Sequence, residues 1–345
     1  MVKEKEVQAL KKRGDQALRR REFTARYGAI LVFIALTIVN LCITPNFFSM
    51  FTVWNIIIQS APTIITAMCM TFVIAVSGID ISVGSSMALS TIISTLMMAQ
   101  GYSAILCSFV GIAAGFGLGL MIGTLTVKFD IQPMVLTLAF MIMLRSASRI
   151  TCSDKSIQVL NEAFTSIGML RFGTVPIQLI YVAAITALFY IIAEFTVFGK
   201  SVEAIGNNSM AAKLSGIRSD LIAVLTYAIL GGLAATAGLL TVARSMNCNP
   251  SSFGMGMEME AIAAVVIGGT SMSGGKPRVL GTLAGCFIMT LITMTVNMNG
   301  IPASYSMIFK AVIIVMAVYL QSDQILGRRK SGMSMIWRKR KEARQ

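Results

Sequence analysis

Val197-Phe-Gly-Lys-Ser-Val-Glu-Ala-Ile-Gly-Asn-Asn-Ser-Met-Ala-Ala-Lys-Leu-Ser-Gly-Ile-Arg218 is a polar stretch with helical patterning, set between two long apolar runs at 177–198 and 220–243. Connections in a chain that mostly spans a membrane are usually short. A loop this long in water is therefore either a solvated linker or a docking surface. Its content favours docking. Ala204, Ala211 and Ala212 are small, Leu214 can lie flat in a groove, and Gly206 and Gly216 bracket a short helix, with Glu203 and Asn207 among the flanking polar groups.

Composition sets the class. Of 345 residues, 55% are hydrophobic and 13% charged, with a mean hydropathy of +0.76. A soluble domain is about a quarter charged, and no soluble core hides this much apolar surface, so the solvent is lipid. Apolar runs fall near 28–46, 56–77, 83–100, 103–127, 131–149, 177–198, 220–243, 258–273, 279–298 and 303–320. A span needs ~20 residues, so the shorter runs are expected to be tilted or re-entrant. The expected fold is all-α, a polytopic membrane helix bundle of about ten transmembrane helices by the count of these runs. Eight spans plus re-entrant segments is the alternative.

Charge orients the bundle. The net charge of +14 would suit nucleic acid, but its distribution excludes that partner. Residues 1–27 carry nine Lys/Arg against four acids, and residues 321–345 carry eight against two. Basic clusters hugging the outermost spans mark cytoplasmic ends and suit anionic lipid head groups. Both termini are then cytoplasmic, and the 199–218 loop falls on the same side. The expected organisation is a basic segment over 1–27, a transmembrane domain over 28–322 and a basic tail over 323–345. Residues 1–27 do not read as a cleavable signal, because the apolar run that follows is too long and has no small-residue cleavage site.

Three glycine and acid patterns stand out. Gly111, Gly115, Gly119 and Gly123 recur every four residues along one helix face, and Gly281 and Gly285 repeat the spacing. Missing side chains let helices approach closely in lipid, either within the chain or between subunits. Ser77-Gly78-Ile79-Asp80-Ile81-Ser82-Val83-Gly84-Ser85 sits between apolar runs. A carboxylate there is costly without a partner. Asp80, Ser82 and Ser85 read as a helix cap or as a broken helix lining a transport path, and the two are compatible. Glu258 and Glu260 open a later helix, where the dipole favours acids; a contact to a soluble partner on the outer face is the other reading.

Catalysis finds no footing. There is no histidine, and the six cysteines are scattered, so histidine-based triads and His-ligated metal sites are excluded. No catalytic residue, metal site or cofactor is expected. Ile267-Gly-Gly-Thr-Ser-Met-Ser-Gly-Gly-Lys-Pro-Arg278 superficially suggests a phosphate loop, but Pro277 stands where a magnesium-holding Ser/Thr is needed and the glycine-to-lysine spacing is one residue too long. The chain is not expected to bind ATP. A secondary, ion-coupled carrier would want buried acids, and only Asp80 and Glu194 are placed for that; an intramembrane enzyme lacks a visible nucleophile and base.

Together these motifs resemble the permease subunit of bacterial ATP-binding-cassette importers for sugars, of the ribose/xylose/arabinose type. Gly78-Ile-Asp-Ile-Ser-Val-Gly84 is similar to that family's GIDLSVG signature. The segment 204–217 is similar to its AIGGNxxAAxLSGI loop. Glu258 to Thr270, with Gly274-Gly275 and Gly281-Thr282, is similar to its third block. The likeness runs over about 27–322; Asn207 replaces a usual glycine, and Lys276-Pro277 departs in the last glycine turn. The resemblance implies that 204–217 is the coupling helix seated in a separate ATPase subunit, which binds the ATP. It places Gly78, Asp80, Ser82, Gly84 and Ser85 near the translocation path, and Glu258 and Glu260 near the outer mouth. It further implies an extracellular or periplasmic sugar-binding protein, a second permease copy (identical or a sister subunit), and a multi-pass location in the bacterial cytoplasmic membrane.

Overall fold

A computed structural model describes residues 28–45, 47–302 and 304–316, and the basic segments expected at 1–27 and 323–345 lie outside them. The chain is helical. In order come α1 (Gly28–Ile43), α2 (Met50–Ala75), α3 (Val83–Ala99), α4 (Ala104–Lys128), α5 (Pro133–Thr151), β1 (Ile157–Gln158), α6 (Glu162–Met169), β2 (Arg171–Phe172), β3 (Val175–Pro176), α7 (Ile177–Phe195), α8 (Val197–Asn207), α9 (Ser209–Leu214), α10 (Ser219–Ser245), β4 (Asn247–Cys248), α11 (Met257–Ile267) and α12 (Val279–Met298). A last helix, α13, covers Ser304–Met316.

Six of these helices (α2, α4, α5, α7, α10 and α12) are long and apolar enough to cross a membrane, and α1, α3 and α13 are shorter apolar helices. This is a multi-pass membrane protein. Its hydrophobic surface says the same: Ile105, Phe109, Val135, Ile142, Ile191 and Phe195 stand outward on α4, α5 and α7, which costs nothing where the surroundings are hydrocarbon. The interior belongs to α2 and α12, each with 72% of its most apolar window buried, against 22–28% for α4, α5 and α7.

Helix ends follow local chemistry. The Ser49, Ser103 and Asn161 side chains accept first-turn N–H bonds at 3.1, 3.3 and 3.2 Å, each satisfying a donor that the helix leaves free. Pro133 occupies the first turn of α5, where its missing N–H is not needed. Away from α8 and α9, the chain reverses through α6, the β2–β3 hairpin and the β1–β4 pair, which aligns Ile157 with Cys248 and Gln158 with Asn247. At that end the Arg149 guanidinium pairs with Asp154 at 2.8 Å and holds its carboxyl below the usual carboxylate range. Ser251 Oγ donates to the same carboxylate at 2.9 Å, joining the end of α5 to the loop before α11.

Helix contact in lipid cannot draw on a hydrophobic driving force and depends on close packing. The regular glycines of α4 supply it within the chain. A methyl at Gly115 would collide with the Gly231 carbonyl, and one at Gly119 with the Tyr227 carbonyl, both on α10; Gly111 lies over Ser90 and Ser94 of α3. Gly281 and Gly285 of α12 lie as tightly on Gly268, just past the end of α11, and on Ala264 in its last turn. Gly117, in the same row of sequence, has nothing within 4 Å. Gly119→Leu is therefore expected to cost about 1–3 kcal/mol through overpacking and to lower the thermal unfolding midpoint in detergent. Gly117→Ala should leave that midpoint unchanged or raise it, since alanine is the better helix former.

Candidate functional site

Two helices, α3 and α11, begin inside the bundle, and their N-termini meet. α2 ends at Ala75, and the chain turns through Ser77, with φ +65°, into the extended segment before α3. On the other arm, α10 ends at Ser245 and residues 249–256 coil through Gly254 and Gly256, at φ +68° and +81°, conformations that glycine adopts without strain. The two arms cross at Gly84 and Gly254. A methyl on either would strike the other's backbone carbonyl, and Glu258 Oε2 lies against the same face of Gly84. That oxygen is buried without a hydrogen-bond partner, at the positive end of the α3 dipole.

Asp80 organises the approach to α3. It is 2% exposed, and its Oδ1 accepts from Ser82 N at 2.8 Å and Ser82 Oγ at 2.6 Å. The expected cap is thus shifted. Ser82 is the N-cap residue but makes no side-chain cap bond, because its hydroxyl is spent on Asp80. Ser85 Oγ, with Ser86 Oγ and Thr91 Oγ1 further along α3, is buried without a partner. Gly78 is needed because Tyr227 of α10 sets its hydroxyl over it. The Ile79 carbonyl receives a long bond from Thr137 Oγ1 of α5 at 3.4 Å.

Glu258 and Glu260 both turn into the chain. Glu258 faces Gly84, as above. Glu260 is ion-paired with Lys310 of α13, and its Oε2 accepts from Thr63 Oγ1 at 3.3 Å. Arg145 of α5 donates to the Phe253 carbonyl and so holds the loop before α11. Sequence reasoning missed Arg145, Lys310 and Tyr227. The two cations had a signal, since each interrupts an apolar run, where a charge marks an interior contact. Tyr227 had none.

The polar loop forms a second centre. Asn208 adopts an extended conformation (φ −163°, ψ 100°) and divides it into α8 and α9, its side chain capping α9 through Ala211 N at 3.0 Å. A single helix over 204–217 is therefore replaced by two. Glu203 and Ala204 are half-buried on α8, and Ala212 is buried beneath α9. Ala211 and Leu214 face outward on α9, Leu214 83% exposed. Gly216, at φ +83°, turns the chain toward α10.

Gly206 sits where three segments converge. A methyl there would enter the Ala75 carbonyl at the end of α2 and the backbone of Gly275. Gly275 N donates to Ala75 O at 2.9 Å, and Ser77 Oγ donates to Ser273 O at 3.0 Å. Asn207 lies beside Gly275. Glu194 at the end of α7 completes the junction with Lys276 at 2.9 Å and Lys200 at 3.5 Å. α8, to which α9 is joined through Asn208, is thus in backbone contact with the end of α2, and from there a few residues lead to Asp80 and α3.

Asp80→Asn retains an acceptor for Ser82 and should keep the folded yield, whereas Asp80→Ala should lose about 1 kcal/mol, the worth of a cap. Thermal unfolding of the two variants in detergent checks this. A loss with Asn as large as with Ala would show that the charge, not the acceptor, matters.

Residues 52–318 match the family described as the branched-chain amino acid transport system, permease component. The chain is similar to the ribose import permease protein RbsC of Escherichia coli strain K12, 34% identical over 303 residues that cover 86% of this chain and 92% of the relative. It is similar to RbsC of Bacillus subtilis strain 168, 33% identical over 297 residues, 86% and 92% of the two chains. It is also similar to the galactofuranose transporter permease protein YtfT of Escherichia coli strain K12, 30% identical over 273 residues, 79% and 80% of the two chains. No solved structure matches.

Proposed function

Because the chain belongs to this family of transport permease components, together with the ribose import permeases, we propose that it is the membrane-spanning subunit of an ATP-binding-cassette importer for a monosaccharide. A separate ATPase subunit binds and hydrolyses the ATP, and this chain holds no cofactor. An extracellular or periplasmic sugar-binding protein delivers the cargo. A second permease copy, identical or a sister subunit, encloses the path, in the bacterial cytoplasmic membrane. Sugar is favoured over the amino acids of the family description because the similar proteins named above carry ribose and galactofuranose.

The topology that fits is ten passes with both termini cytoplasmic: the six long helices, the three shorter apolar ones and α11. At 11 residues and 1.5 Å per residue, α11 is about 16 Å long, roughly half of a ~30 Å hydrocarbon core. The coiled residues 249–256 account for the other half of that pass. Irregular backbone at such depth is tolerated where protein surrounds it or a cavity receives it.

The observation that carries the reading is the junction of Gly206, Ala75 and Gly275. Met210, Ala211 and Leu214 form an exposed small and apolar face on α9, suited to a groove in the ATPase. Displacement of α8 and α9 by closing ATPases bears on the end of α2, and so on Asp80 and the arm that meets Gly254. It also bears on the 271–276 turn that leads into α12. Gly78, Asp80, Ser82, Gly84 and Ser85 then belong to the part of the path that moves, with Glu258 and Glu260 on the opposing arm toward the outer mouth. An ion-coupled carrier has less support, since Glu194 is tied by two lysines.

In proteoliposomes with its ATPase and binding protein, the chain should accumulate sugar only with ATP. Ala211→Glu, at an exposed position, should abolish uptake while leaving the amount and thermal stability of the permease unchanged. Gly206→Ala should also stop uptake, because even a methyl separates α8 from α2. Uptake by the chain alone without ATP, or full activity in Ala211→Glu, would remove the reading.

A further inference from the structure

A cavity of about 500 Å³ lies among α2, α3, α7, α10, α11 and the loop that precedes α11. A pocket for a small polar ligand typically measures ~300–1,000 Å³ and combines an apolar lining with a few placed polar groups. This one has both. Met87 and Phe253 are buried apolar walls. The polar groups stand on opposite sides: Gln59 of α2 and Arg244 of α10 exposed, Thr241 one turn along from Arg244, and Glu260 with Thr63 deeper in. The Glu260 carboxylate is already oriented, one oxygen on Lys310 and the other on Thr63, so it is held in place while lone pairs are left for a third donor. Pro62, inside α2, has no N–H to give the Ile58 carbonyl, and both residues line the cavity. Such a carbonyl is a ready acceptor.

From this arrangement we infer that the cavity is a binding site for one monosaccharide, built within a single protomer. The inference rests on the sugar-importer reading and goes beyond it, because that reading puts the path at the interface between two permease copies. A polyhydroxylated ring presents hydroxyl donors and acceptors around its edge and C–H surface on its faces. Arg244 supplies donors only, the Glu260 carboxylate acceptors only, and Gln59 both, while Met87 and Phe253 meet the ring faces. Nothing in the set demands a charged ligand, since the acid is balanced by Lys310 and the Arg244 guanidinium is exposed. The cavity opens where α10 ends, the side opposite α9, which is the side from which a delivered sugar arrives.

The test is protection of an introduced thiol in right-side-out membrane vesicles without ATP. Thr241→Cys is made in a Cys42→Ala background, Cys42 being the exposed cysteine and the other five buried. A membrane-impermeant maleimide added outside should label it. D-Ribose, L-arabinose, D-fructose and D-galactose are each added as probes, with dextran as the oversized control. By mass action, labelling should slow about threefold when an accepted monosaccharide stands at roughly twice its Kd, and dextran should have no effect. Adding Glu260→Gln should leave the labelling rate without sugar unchanged, showing that the cavity persists, and should remove the protection. A thiol unreachable from outside, a rate that none of the four sugars changes, or protection that survives Glu260→Gln would overturn the site. ATP-driven uptake alongside an unprotected thiol would remove the cavity inference alone. Protection without any ATP-driven uptake would instead count against the importer reading.

Discussion

Two helices that begin inside a lipid-embedded bundle present backbone donors with no water to receive them, and their starts meet where Gly84 crosses Gly254. The N-termini of α3 and α11 come together there. Each carries the positive end of a helix dipole, so two of them facing one another would repel. The carboxylates placed around the crossing offset this: Glu258 against Gly84, and Asp80 holding Ser82 at the foot of α3. Arg145 then fixes the Phe253 carbonyl on the opposing arm. Glycine is required on both sides because the backbones approach within the radius of a methyl group.

The remaining architecture serves that crossing. α10 packs against α4 through Gly115, Gly119 and Gly123, and its own Gly231 and Tyr227 complete the contact. This brings Tyr227 over Gly78 and sets the height at which the chain leaves α2. α12 does the same for α11 through Gly281 and Gly285. Small residues are used because association in hydrocarbon is driven by close contact. A larger side chain at one of these positions moves a whole helix, and with it one arm of the crossing.

Mechanical connection to the α9 surface follows from the same economy of side chains. Gly206 lets α8 touch the last carbonyl of α2 directly, and Gly275 reaches that carbonyl with a hydrogen bond. A contact made of backbone atoms has no rotamers to absorb a displacement. Under the proposed function, motion of α8 is therefore passed to α2 and to the turn before α12. Lys276 and Lys200 on Glu194 keep the end of α7 in the same unit.

Much of this was legible from residues alone. Hydropathy and charge placed the chain in lipid, because composition is a property that no tertiary contact alters. The polar 197–218 stretch, the Gly78–Gly84 signature and the four-residue glycine spacing could be read because helical period and turn chemistry are local. Asp80 was visible as a capping acid, but not that Ser82 would spend its hydroxyl on it. Tertiary structure alone decided that Gly84 meets Gly254, that Gly206 meets Ala75 and Gly275, that Lys310 pairs with Glu260, and that a polar cavity opens beside Glu260. Each joins residues far apart in sequence, and in lipid such partners are chosen by shape and hydrogen bonding, neither of which leaves a periodic trace in the chain.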